Sequence, residues 1–125
     1  MTSLVACLSS GKGTWAQLIE IIRGAQWDDV FLITNEFGKE KFKEKNVKLV
    51  ILDLNKSPNI LSDEIVDALH EKDLGTEVAI NISSGTGNEH MALLSAILKL
   101  GLGVRFVFSK NGKVEELKLF KFSFD

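Results

Sequence analysis

The sequence predicts one α/β domain whose mainly parallel sheet carries helices on its faces and an antiparallel strand at its C-terminal edge. Three observations predict it. Five short runs rich in Val, Ile, Leu and Phe recur along the 125 residues, and they are continuously apolar rather than alternating, as strands covered on both faces are. Segments of helical period separate most of them. Near the end, Asn111-Gly112 lies between two strand-like runs, a strong two-residue hairpin signal.

The strand runs are Ser3–Leu8, Asp29–Asn35, Val47–Leu54, Thr76–Ile82 and Val104–Ser109. After the first, Trp15, Leu18, Ile19 and Ile22 form one helical stripe that closes at Gly24. EFGKEKFKEK (Glu36–Lys45) is polar throughout and leaves open a short helix or a flap. Ser57-Pro58 is a helix start, followed by Leu61, Ile65 and Leu69 on one face, with Gly75 as the stop. Asn88 is expected at the N-cap of the last helix, with Met91, Leu94 and Leu98 as its stripe and Gly101 as its end. In the final run Leu117 and Leu119 share one parity while Phe120, Phe122 and Phe124 share the other, so a bulge is expected near Phe120.

Composition bounds the function. The length suits a single domain over residues 1–125. A 45% apolar and 26% charged composition is that of a folded globule. A net charge of −2 offers no overall field for duplex DNA or an anionic membrane, so an anionic ligand must be held by local groups. The single cysteine, Cys7, cannot form an internal disulfide and reads as a small core hydrophobe, which fits a reducing, cytoplasmic setting. The N-terminus carries no basic leader, and no apolar run approaches the roughly 18 residues that cross a bilayer.

In an open parallel sheet a ligand sits beyond the carboxyl ends of the strands, where strand order reverses. If the order is 3-2-1-4-5, the first and fourth strands are neighbours there. The loops that follow them are LSSGKGTW (Leu8–Trp15) and NISSGTGNEHM (Asn81–Met91). Each leads into a helix N-terminus, whose free N–H groups and dipole favour an anion. Glycines 11, 13, 85 and 87 permit close approach to the backbone, and Ser9, Ser10, Thr14, Ser83, Ser84 and Thr86 add hydroxyls. Lys12 adds a point charge. The alternative is that both loops are small and polar only because turns and caps favour such residues. Two phosphate motifs are absent: Gly13 stands where a P-loop needs Ser or Thr after Lys12, and no G-x-G-x-x-G follows the first strand.

Other chemistry-bearing residues have competing readings. His90, in the first turn after the second loop, is either a general base or structural. His70 reads as solvated. Asp53, Asp63, Glu64 and Asp67 do not recur with His or Cys at ligand spacing, so no metal site is expected. Trp15 either stacks on a base or belongs to the core. Asn35 and Glu36, ending the second strand, lie on the same edge as the two loops and are candidates to read a base or ribose.

Asn81-Ile82-Ser83-Ser84-Gly85-Thr86, with Met91 on the helix beyond, resembles the fourth-strand signature of the CRISPR-associated Rossmann-fold (CARF) domains. The loop Ser9–Thr14 resembles that family's other ligand-contacting element. Two departures stand out: Gly87 replaces the family's frequent Lys, and Asn88-Glu89 spaces out the Met. The resemblance spans the whole chain and implies a Rossmann-like three-layer sandwich. It also implies a homodimer that binds cyclic oligoadenylate, most often the tetraadenylate, across its two-fold axis, in CRISPR antiviral defence. The ligand-binding residues it implies are Ser9, Gly11, Gly13, Thr14, Asn81, Ser83, Ser84, Gly85, Thr86, Gly87, Asn88 and Met91. It leaves open a sensor that keeps the ring intact and a ring nuclease that needs no metal or cofactor. In the nuclease reading, Ser10 orients the attacking ribose hydroxyl and Lys12 stabilises the developing charge. An unrelated α/β protein binding another phosphorylated metabolite remains the alternative.

Overall fold

A computed structural model describes residues 2–8 and 12–117, without the side chain of Lys12. Strands β1 (Ser3–Cys7), β2 (Val30–Thr34), β3 (Lys48–Ile51), β4 (Glu77–Asn81), β5 (Gly103–Lys110) and β6 (Lys113–Glu116) form one sheet in the order 3-2-1-4-5-6. All neighbouring pairs are parallel except β5–β6. The helices are α1 (Trp15–Gly24), α2 (Glu36–Lys41), α3 (Pro58–Leu69) and α4 (Gly87–Lys99). The expected α/β class, parallel order and antiparallel edge are therefore all present.

The continuous apolar runs have a simple cause: the central strands feed two cores. Val5, Cys7, Phe31, Ile33, Val78 and Ile80 pack against α3 and α4, while Leu4, Ala6, Leu8, Leu32 and Ala79 pack against α1. Trp15 settles into the second core, edge-on to Phe42 with ring centroids 5.3 Å apart. The hairpin forms as expected, with Asn111 and Gly112 both at positive φ (54° and 74°), the primed turn that matches strand twist. Beyond Leu117 the expected bulge near Phe120 lies outside the described residues.

Four local expectations are corrected. Asn88 is not the N-cap of α4. Thr86 is, its extended backbone bringing its hydroxyl to accept the Glu89 N–H at 3.3 Å. The buried face of α4 is Ala92, Leu93, Ala96 and Ile97, because small alanines let it lie close against α3 and the sheet. Met91 and Leu98 are left exposed. The third helix ends at Leu69, five residues before Leu74, with Gly75 (φ 69°) turning the chain into β4 instead. Finally, β3 is a short edge strand covered only in part, since no strand lies beyond it. Gly101 does end α4, in a turn where its N–H reaches Leu98 O and that of Leu102 reaches Ile97 O. The polar segment forms the six-residue α2, capped by Asn35.

Candidate functional site

Because β1 pairs with both β2 and β4 in parallel, with Ala6 opposite Asn81, the strand order reverses at the carboxyl ends of β1 and β4. Leu8, after β1, and Ile82, after β4, leave these neighbouring strands at the same edge of the sheet.

The β1 end is fixed first. Leu8 is buried, its N–H donates to Ile33 O, and the Thr34 hydroxyl donates to Leu8 O, both at 2.9 Å. Ser9, Ser10 and Gly11 lie outside the described residues. Lys12–Thr14 make one 3-10 turn into α1, with Gly13 exposed and Thr14 half-buried. Thr14 makes no side-chain cap bond, so its hydroxyl is not committed to the helix end.

The β4 end is built around Asn81, whose side chain is buried. Its amide donates to Val107 O at 2.9 Å and to the Ser83 hydroxyl at 3.0 Å, while its carbonyl accepts the Ser83 N–H at 3.3 Å. Asn81 thus sets the path of the loop and ties it to β5. Ser83, Thr86, Gly87 and Asn88 are exposed, whereas Ser84 is buried. Gly85 sits at φ 102°, which only glycine adopts without strain. Its conformation turns the chain sharply into α4. The first-turn N–H groups of Gly87 and Asn88 have no intrahelical carbonyl to meet. Met91 projects from the outer side of α4.

Two further side chains close under this turn. His90 Nε2 lies 2.8 Å from Ser84 O; a carbonyl only accepts, so Nε2 carries the proton and, in the neutral ring, Nδ1 is left as an acceptor. Glu89 is buried, and its Oε2 accepts the Thr86 hydroxyl at 3.1 Å. Thr86 and Glu89 stand at the N-cap and N3 positions of a T-x-x-E sequence; the Thr86 hydroxyl both caps the Glu89 N–H and donates to its carboxylate, which lies at the positive end of α4. Burial first, and then the Glu89 charge, push the Cys7 thiol up to about 12 from 9.0. Glu89 was absent from the expected site, although Thr86-x-x-Glu89 is a legible signal for it.

The remaining candidates have local tasks. Asn35 accepts the Gly38 N–H at 3.1 Å as the α2 cap, with Glu36 exposed in the first turn. Asp53 accepts the Asn55 N–H, Asp63 pairs with Lys99, and Glu64 pairs with Lys56. His70 is exposed and lies against Asp67 O. Among the described residues no three His, Cys, Asp or Glu side chains gather as metal ligands, and no helix is long and apolar enough to cross a membrane.

The fold has a known counterpart. The chain superposes on part of Enterococcus italicus Csm6, solved bound to cyclic hexa-2'-fluoro-hexa-dAMP, with a TM-score of 0.61 at 16% identity. The match covers 92% of this chain and 35% of that one, so this chain spans about a third of the Csm6 length. The architecture is shared; at this identity the likeness speaks for the fold alone. No protein-family model and no curated protein sequence matches the chain.

Proposed function

We propose that this chain is a CARF-type receptor for cyclic oligoadenylate in CRISPR antiviral signalling, acting in the cytoplasm as a two-fold homodimer. One observation carries the reading. The Asn81–Thr86 signature occupies the β4–α4 turn, beside the β1 end at the switch point, on a fold shared with a protein solved with a cyclic oligonucleotide. Two helix N-termini per chain make four in a dimer, which suits the four phosphates of cyclic tetraadenylate. The first-turn amides of α4 and the exposed hydroxyl-bearing residues Ser83 and Thr86 would face one phosphate, and Ser9, Gly11, Gly13 and Thr14 the next. Met91 and Leu98, both exposed, with half-buried Leu94, leave an apolar strip on α4 that starts at the loop and would meet the second copy.

In its catalytic form the reading needs alignment and charge stabilisation from the protein. The ribose 2′-oxygen attacks the adjacent phosphorus and the bond to the 5′-oxygen breaks. The 2′-proton leaves to solvent and the 5′-oxygen gains one, giving a 2′,3′-cyclic phosphate and a free 5′-hydroxyl. Ser10 would orient the attacking hydroxyl, and Lys12 would stabilise the charge on the phosphate oxygens.

The test incubates the purified chain with cyclic tetraadenylate, then hexaadenylate, in chelator, following melting temperature and the ligand's mass together. A saturable rise with linear, cyclic-phosphate-ended products establishes a ring nuclease, and the same rise with an intact ring establishes a sensor. No shift with either ring overturns the reading. Ser10→Ala or Lys12→Ala that binds without cleaving supports the assigned roles, and unchanged turnover in both removes them.

A further inference from the structure

The start of the β4–α4 loop borders a cavity of about 360 Å³ at the carboxyl ends of β4 and β5. Ile82, Phe106, Phe108 and Leu117 supply its apolar walls, and Asn81 and Ser83 its polar side. The register explains the place. Ile80 pairs with Phe106, so Ile82 and Ser83 leave the sheet beside Phe108, and from the far side of β5 the Leu117 N–H donates to Phe106 O at 2.8 Å. Val107 is buried in the core on the α1 face. Phe106 and Phe108 stay half-buried and Leu117 is 50% exposed, so apolar surface is left open to water beside the signature loop. Asn81 is committed within the protein, its amide on Val107 O and on the Ser83 hydroxyl, which therefore keeps its own proton to donate. A larger cleft lies at the opposite edge, at the amino ends of β2 and β3, where the lining charges already pair, Arg23 with Glu44 and Lys48 with Asp29.

We infer that this cavity seats an adenine base of the bound ring, the one joined to the phosphate at the α4 N-terminus. This rests on the cyclic oligoadenylate reading above. Ser83 belongs to both places: it lines the cavity and stands exposed on the loop whose hydroxyls and amides face the phosphate. A nucleotide anchored on that loop has the cavity beside it for its base, while its charge stays outside on the phosphodiester. The volume lies within the range of small-ligand sites, which are mostly apolar with a few polar groups. Aromatic side chains are the usual partners of a splayed-out base, because every base offers a π face. Phe106 and Phe108 stand two residues apart on β5, hence on one face of it, and both border the same space. A purine, with two fused rings, covers more of that wall than a pyrimidine with one. A two-fold dimer carries two such cavities and so holds two bases of the ring.

The experiment titrates the wild-type chain, Phe108→Leu, Phe108→Tyr and Leu117→Ser with cyclic oligoadenylate and cyclic oligouridylate of the size that shifts melting. Mass spectrometry restricts the analysis to uncleaved complex, and sedimentation follows each chain without ring. The wild-type chain is expected to prefer the adenylate ring by about tenfold or more, the scale of base–aromatic stacking. Phe108→Leu keeps an apolar filler but removes the stacking face, so most of that preference should go. Phe108→Tyr keeps the face and should retain it, and Leu117→Ser, at the rim, should lose part. Val104→Ala thins the same core on β5 away from the cavity, controls for lost packing and should keep the wild-type ratio. A Phe108→Leu chain with the wild-type ratio, or a wild-type chain indifferent to the base, overturns the inference while ring binding stands. So does a Phe108→Leu chain that differs only in its sedimentation without ring, because a second copy then covers the cavity. A wild-type chain that binds neither ring overturns the functional reading itself.

Discussion

Gly85→Ala tests the geometry of the signature turn. At φ 102° an L-residue is strained, which costs on the order of 1–3 kcal/mol by itself. The added methyl would also stand 2.9 Å from Glu89 Oε1, 3.0 Å from Cys7 Cβ and 3.1 Å from His90 Nε2. Cys7 cannot retreat, since it lies fully buried in β1. The Glu89 carboxylate must therefore swing away and give up its bond from Thr86, about 1 kcal/mol more. The expected loss is about 3 kcal/mol, which at this chain length lowers Tm by about 12 °C. Urea melts followed by circular dichroism measure it. Gly87→Ala is the control, because it opens α4 at an ordinary φ with nothing within 4 Å of a new Cβ. It should be neutral or stabilising by up to about 1 kcal/mol. If Gly85→Ala costs less than about 0.5 kcal/mol, the turn does not need glycine and the reasoning fails.

Three further predictions rest on other parts of the molecule. Gly38→Ala would place a methyl 1.9 Å from Thr34 Oγ1 and force that buried hydroxyl off Leu8 O, so chemical denaturation should show a loss of about 2–4 kcal/mol. Because the Cys7 thiol keeps its proton to about 12 in the fold, it should resist alkylation at pH 8 in native protein and react once unfolded. An unfolded thiol ionises near 9.0, so the folded state binds more protons above that pH; the stabilisation is complete below 9.0 and falls as pH rises toward 12, and Cys7→Ala should flatten that slope. Leu98→Lys, at a side chain 70% exposed, should leave the melt of the isolated fold within about 0.5 kcal/mol but shift sedimentation to monomer if α4 forms the dimer face.

The sequence by itself determined the class of the fold. Runs such as Val78–Ile80 and Val30–Ile33 are apolar at every step because each face meets a helix layer, and that pattern survives in one dimension. Asn111-Gly112 determined the hairpin through local φ preference alone. It also placed the two small-residue loops at strand ends. Only the tertiary structure decided what each side chain there does. Asn81 reads as a ligand group in sequence, but β5 lies alongside and Val107 O takes its amide. Met91, Leu94 and Leu98 have helical spacing, yet so do Ala92, Leu93, Ala96 and Ile97, and periodicity cannot say which stripe faces the sheet. The choice falls to the packing of α3 on α4, which takes in Ala92 and Ala96 with Leu93 and Ile97 and leaves Met91 and Leu98 outward. Glu89 is the clearest case. Its spacing from Thr86 announces a cap, but its burial against Cys7, with one oxygen left unpaired, arises because β1 and β4, far apart in sequence, are neighbours in the sheet.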